Sequence, residues 1–146
     1  MPTIGIAADH AGFELKEKLK IYLAEKNFVV KDFGTHSLAS MDYPDAVHPL
    51  CKALGETAFE QAILICGSAQ GVAITANKYP FVRAAVCWNV EIATLTRQHN
   101  NANILCLPAR FINYETAKQC VNAFFNTAFE GGRHQNRVNK IAIPNC

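Results

Sequence analysis

The stretch ILICGSAQGVAITANK, residues 63–78, opens as a strand and closes as a helix, with Cys66 and a glycine-rich turn between the two. Outward from it, short apolar runs alternate with helical patterns along almost the whole chain. TIGIAA (3–8), FVVKDF (28–33), AILIC (62–66), RAAVCW (83–88) and NILCLPA (103–109) read as buried strands. FELKEKLKIYLAEK (13–26) sets Leu15, Leu19, Tyr22 and Leu23 on one helical stripe, with Glu and Lys on the other face. DAVHPLCKALGE (45–56) is a second helix, which Pro49 should kink or delay. GVAITANK (71–78), NVEIATLTRQH (89–99) and NYETAKQCVNAFFNTAF (113–129) follow, the last capped by Asn113. GGRHQNRVNKI (131–141) reads as a short final helix after a glycine pair. Such alternation implies a parallel sheet covered on both faces. With right-handed crossovers, a five-stranded doubly wound α/β sheet is the simplest solution.

The 146 residues suffice for one domain with a full core, and no repeat or linker divides them. Half the residues are hydrophobic, 18% are charged and the formal net charge is +2. That balance offers no basic excess for nucleic acid. The apolar runs fall far short of the ~20 residues that span a bilayer. MPTIGIAADH (1–10) lacks the basic start and long apolar stretch of a secretory signal, so a cytoplasmic protein is expected. The cysteines at 51, 66, 87, 106, 120 and 146 form no CxxC pair and no close Cys/His cluster. Reduced thiols are therefore expected, with neither a disulfide framework nor a metal site.

Ligands of doubly wound sheets bind at the carboxyl ends of the strands. Those ends here carry Asp9 and His10, Cys66 and Gly67, Cys87 and Trp88, and Ala109 and Arg110. A carboxylate, an imidazole, a thiol and a guanidinium thus share one predicted rim. In the turn Cys66-Gly67-Ser68-Ala69-Gln70-Gly71, amide groups at a helix start can hold an anion. A thiol at the same place gains thiolate character. Cys66 also suits a plain structural cysteine at a strand end. No Gly-Lys-Ser/Thr follows, so this is not a Walker A loop, and Val72 stands where a phosphatase-type loop needs arginine.

The other chemistry-bearing stretches have two readings each. Asp9 can cap the first helix, or it can face a ligand with His10 beside it. His99 at a helix end can complement the dipole, or it can move a proton near neutral pH. Arg133 and Arg137, four apart, share a helix face with His134 beside them. They form either a solvated basic surface or a phosphate clamp. Tyr43, in the polar loop HSLASMDYPD (36–45), either lies over the rim or packs on the surface.

Together these stretches resemble the type B ribose-5-phosphate isomerases, a family that also holds the galactose-6-phosphate isomerase subunits. The resemblance rests on DHAGFELK (9–16), DYPD (42–45), ILICGSAQG (63–71), ANK (76–78), RQHNNANIL (97–105) and EGGRHQNRV (130–138), in family order over nearly the whole chain. It implies a Rossmann-like αβα domain with a C-terminal helical tail and no metal or organic cofactor. It also implies a homodimer with sites built across the subunit interface, some members pairing further into tetramers.

By the same resemblance Cys66 would be the base that moves a proton between C1 and C2 of a sugar phosphate. Ser68 and the amides from Gly67 through Ala69 and Gln70 to Gly71 would hold the enediolate oxygen. His99 would open the furanose ring as proton donor, assisted by Asp9. Asn100, His10 and Tyr43 would contact sugar or phosphate. Arg110, Arg133 and Arg137 would bind the phosphate, some from the neighbouring subunit. Two departures stand out: Ala69 where the family usually has glycine, and Ala73 where serine is frequent. If position 69 needs φ > 0, alanine costs about 1 kcal/mol of strain.

Aldose–ketose isomerisation needs a base for a weakly acidic C–H, donors for an enediolate and a handle for the phosphate. The expected activity is interconversion of D-ribose 5-phosphate and D-ribulose 5-phosphate. Rivals are a 6-phosphohexose isomerase for allose or galactose 6-phosphate, a non-catalytic phosphometabolite-binding module, and a redox-sensing thiol protein.

Overall fold

The central strands have no polar face. AILIC (62–66) and ILCLP (104–108) are buried at every residue, so helices must cover both sides of them. The computed structural model describes residues 1–144; Asn145 and Cys146, the sixth cysteine, lie outside the described residues. Five parallel strands, β1 (Thr3–Ala8), β2 (Val29–Asp32), β3 (Ala62–Cys66), β4 (Ala84–Val86) and β5 (Ile104–Pro108), lie in the order β2-β1-β3-β5-β4. The fold is thus the expected Rossmann-like αβα sandwich, with shorter strands at both edges.

Side-chain alternation divides the core in two. Ala62, Leu64 and Cys66 of β3, with Ile104 and Cys106 of β5, face α2 (Tyr43–Gly55) and α3 (Gln70–Ala76). Ile63 and Ile65, with Leu105 and Leu107, face α1 (Phe13–Glu25), α4 (Val90–Asn100) and α5 (Tyr114–Asn126). A last helix, α6 (Arg133–Asn139), follows Gly131 and Gly132, both at positive φ, which turn the chain back onto α4. Asn113 caps α5 as expected, its side chain accepting from the Thr116 amide. No helix among the described residues is long and apolar enough to cross a membrane.

Two local expectations are corrected. Pro49 neither starts nor delays its helix: α2 begins earlier, at Tyr43, with Pro44 in its first turn. Pro49 sits on the exposed side, so the Asp45 carbonyl that its missing N–H leaves unpaired faces water. Lys16, read as part of a polar face, is fully buried. Its ammonium donates to Asp32 at 2.5 Å and to Glu17 at 3.2 Å.

That ion pair braces the first loop of the rim. Asp32 also accepts from the Gly34 amide and from Lys20. The Gly34 carbonyl in turn accepts from the Ala8 amide, and Thr35 donates to the Ala8 carbonyl. Asp9 leaves β1 immediately beyond this clamp. Burial pushes the Asp32 carboxyl up, but the hydrogen bonds from Lys16, Lys20 and Gly34 together outweigh it and hold it below the usual range.

Asp32→Ala leaves the Lys16 charge buried without its main partner and should cost about 3–5 kcal/mol in urea denaturation. Lys16→Met should cost far less, because Lys20 still pairs Asp32. Because the folded carboxyl is depressed, its contribution is present at neutral pH and should fade as pH falls below about 4. Equal losses in the two variants would remove Asp32 as the centre of this brace.

Candidate active site

Strand register sets the rim. Ala8 pairs with Ile65 and Ile65 with Leu107, so Asp9, Cys66 and Pro108 leave the sheet side by side. Three backbone bonds then tie the outgoing loops together. The Asp9 amide donates to the Ile65 carbonyl at 3.2 Å, the Ala109 amide to Cys66 at 2.9 Å and the Arg110 amide to Gly67 at 3.0 Å. Cys66 ends β3 beneath this junction, 5% exposed.

The turn after Cys66 is shaped by close approach. A Cβ on Gly67 would lie 3.2 Å from Arg110 Cδ, so the guanidinium arm lies against the turn at that residue. A Cβ on Gly71 would meet the Tyr43 ring at 2.6 Å, so the first residue of α2 packs on the other end. Between them Ala69 adopts a left-handed conformation, φ 65°, and is buried. The position does require φ > 0, and alanine carries the strain anticipated from the sequence. Ser68 is exposed and its hydroxyl accepts from the Gln70 amide at 3.3 Å.

Asp9 and His10 complete this half of the site. Asp9 is 8% exposed and its Oδ1 accepts from the Gly12 amide at 3.1 Å. It therefore closes the turn before α1, whose N-cap residue is Gly12 rather than Asp9. His10 Nδ1 accepts from the Met41 amide at 3.2 Å, which pins the 34–42 loop to the rim and leaves the ring proton on Nε2. Of the predicted pair at the end of β4, Trp88 is half exposed, but the Cys87 thiol turns into the core.

His99, Asn100 and Arg137 lie elsewhere. Helix α4 runs back from the carboxyl end of β4 to the amino ends of the strands. There the Asn101 carbonyl accepts from Arg83 Nε, and the Asn103 carbonyl accepts from Ala62, the first residue of β3. Cys66 stands four residues further along β3, about 13 Å away. Within one chain the structure therefore joins Asp9, His10, Tyr43, the 66–71 turn and Arg110. It sets His99, Asn100, Arg133 and Arg137 at the opposite end of the sheet.

That second group has its own shape. His99, Asn100, His134, Arg137, Val138 and Ile141 line a cavity of about 290 Å³. The His99 and His134 rings stack with centroids 4.3 Å apart and planes within 11°. Glu130 Oε1 lies 3.4 Å from His134 Nε2 and 3.9 Å from His99 Nε2. Arg133, the first residue of α6, is exposed. Burial of His134, and then the neighbouring His99, Arg133 and Arg137 charges, push its imidazole below the usual range, Glu130 pulling the other way.

The donor atoms of His99, Glu130 and His134 lie within 4.8 Å of one another, close enough for a metal ion. Parallel rings, however, direct their in-plane lone pairs side by side rather than at one point, and Arg137 shares the cavity. The arrangement suits protons better than a cation. The sequence reading gave Glu130 no role and left His134 as a neighbour of the arginines. Both stand in the EGGRHQNRV motif, but their contact with His99 spans more than thirty residues and has no periodic signature.

The other described cysteines are chemically quiet. Burial pushes the Cys51 and Cys120 thiols up to about 11 and Cys87 to about 12, and it also raises Cys106 well above the usual thiol range. All four are completely buried.

Residues 4–141 match the Ribose/Galactose Isomerase family. The chain is 40% identical to ribose-5-phosphate isomerase B of Escherichia coli over 97% of its length and 95% of that protein. Its fold superposes on a crystal structure of the Thermotoga maritima ribose 5-phosphate isomerase with a TM-score of 0.95 at 47% identity, covering 97% of each chain. It matches the Mycoplasma genitalium ribose-5-phosphate isomerase B, solved with bound ribulose-5-phosphate, with a TM-score of 0.91 at 40% identity over 95% and 93% of the two chains. The chain belongs to the Ribose/Galactose Isomerase family.

Native protein treated briefly with a small alkylating agent near neutral pH should be modified at Cys66 before Cys51, Cys87, Cys106 or Cys120. Peptide mapping by mass spectrometry reads the order directly. Earlier labelling of any of those four would mean that the Cys66 thiol is shielded by its turn.

Proposed function

We propose that this sugar-phosphate isomerase, a single domain over residues 1–146, interconverts D-ribose 5-phosphate and D-ribulose 5-phosphate through an enediolate. One observation carries the reading most directly. The thiol at the end of β3 is followed at once by a glycine turn against which Arg110 and Tyr43 are packed. A relative solved with ribulose-5-phosphate, matching over nearly the whole chain, supports the pentose as substrate.

In this reading His99 donates a proton to the ring oxygen, Asp9 assists by taking the proton that the anomeric hydroxyl gives up, and the furanose opens to the aldehyde. The Cys66 thiolate takes the proton from C2. The C–H electron pair becomes the C1–C2 double bond, and the carbonyl pair moves onto O1. The amides from Gly67 to Gly71 and the Ser68 hydroxyl stabilise that oxygen, each well-placed donor contributing about 2.7–4 kcal/mol. Cys66 returns the proton to C1 while the O2 hydroxyl passes its own proton to O1, leaving the ketone at C2 and a hydroxyl on C1. Asn100, His10 and Tyr43 hold the sugar or its phosphate. Arg110, Arg133 and Arg137 bind the phosphate, whose remote binding energy holds C2 against the sulfur.

The thiol half and the His99 half stand at opposite ends of one sheet, which supports a site completed by a second copy of the chain. The reading is a homodimer in which each active site takes its turn from one protomer and His99, Asn100, Arg133 and Arg137 from the other.

A coupled assay should give a kcat/KM for ribose 5-phosphate at least tenfold above that for allose or galactose 6-phosphate. Cys66→Ala should lower kcat about 10²–10⁴-fold while folding and phosphate binding persist. A hexose preference would overturn the substrate, an active Cys66→Ala enzyme the base, and no turnover of any sugar phosphate would return the chain to a binding module.

The shared site predicts complementation. Cys66→Ala and His99→Asn proteins, each inactive, should regain about a quarter of wild-type activity when refolded as an equal mixture. About half of the pairs are then mixed, and each mixed pair holds one intact site. Absence of any recovery, with mixed dimers demonstrated, would place both residues in the same protomer's site.

A further inference from the structure

We propose that Glu130 and His134 are positioning residues for His99: with them the stacked imidazole pair carries a single proton, and the more exposed His99 holds it. The proposal deepens the reading of His99 as the ring-opening donor, and it arises from two neighbours of His99 that the mechanism above does not use.

Two imidazoles lying face to face at 4.3 Å cannot both carry a charge cheaply. The groups around them reinforce this. The segment before α6 contributes one carboxylate, Glu130, within ion-pair reach of both rings. Helix α6 contributes Arg133 and Arg137, both opposing a second positive charge. Arg97, on α4 with His99, is turned away and bonded to the carbonyls of Thr127 and Ala102 and to the Asn101 side chain. With two arginines nearby and one carboxylate shared between the stacked rings, a charge on both rings at once is disfavoured.

Burial decides which ring takes it. The His134 side chain is 8% exposed and that of His99 is 38% exposed, so water solvates a charge on His99 and not on its neighbour. Glu130 lies nearer His134 Nε2 than His99 Nε2, 3.4 Å against 3.9 Å, so its own pull does not select His99; the difference in exposure does. Glu130 lowers the cost of the one charge the pair does carry. Its own backbone is bonded to the last turn of α4, the Glu130 amide donating to the Gln98 carbonyl at 3.1 Å. The neutral His134 ring then serves as a flat platform that sets the plane of the His99 imidazole at the wall of the cavity it shares with Asn100 and Arg137.

The test is nitrogen NMR of the imidazoles in the intact wild-type protein, paired with the pH profile of kcat/KM. On acidification His99 should take up its proton before His134. In Glu130→Gln, a near-isosteric change at a half-exposed side chain, the His99 step should move to lower pH by about one unit. The alkaline limb of the rate profile should move with it, a change that a merely structural carboxylate would not produce. Protonation of His134 first, or a His99 step that does not respond to Glu130→Gln, overturns the proposal whatever the rates. The expected proton order and shift with an unmoved rate profile would uphold the proposal and overturn His99 as the donor.

Discussion

Everything at the rim depends on three successive carbonyls at the end of β3. Those of Ile65, Cys66 and Gly67 accept amides from the loops leaving β1 and β5, so the central strand is held on both sides at the point where it turns. A thiol on a freely moving loop would sample many distances to a substrate carbon. Here its backbone is part of the ladder, and its position varies only as much as the sheet does. The strain at Ala69 is tolerated for the same reason: the backbone on either side of it is over-determined, so a left-handed alanine at a cost of about 1 kcal/mol persists.

The brace behind β1 extends this rigidity by electrostatic means. Lys16 is buried, yet it stands in a motif where spacing reads as an exposed helical face. Its partner Asp32 ends an edge strand sixteen residues later, and no pattern of period 3.6 or 2 links the two. Strand–helix alternation, by contrast, is a local property. The strands were legible as short apolar runs and most helices as apolar stripes, while α6, with His134 as its buried residue, was marked by the glycine pair before it. The edges were the weak points. FVVKDF and RAAVCW shorten to Val29–Asp32 and Ala84–Val86, where only one neighbour supplies hydrogen bonds.

Site residues divide along the same line. Residues that leave strand ends could be placed on a rim from the sequence alone, because a parallel sheet sends every such residue to one side. His99 could not, because the direction in which its helix returns puts it at the far end of the sheet. The stack with His134 was out of reach for a further reason: it depends on two positive-φ glycines that fold the tail over α4, and the angle of that reversal is a backbone property.

The two-ended layout also has an electrostatic logic in the proposed reaction. A sugar phosphate brings about two negative charges at one end, and the base that attacks the other end is an anion. Like charges a few ångströms apart in a partly dry site repel by several kcal/mol. Two of the three arginines proposed to bind the phosphate, Arg133 and Arg137, belong to the half of the chain remote from Cys66, while Arg110 accompanies the thiol. A site assembled from both halves would bind the substrate lengthwise, with the phosphate in the basic half and C2 beneath the turn. The sheet that keeps thiol and arginines apart within a chain would then set, through its own length, how the two ends of the substrate are presented by different protomers.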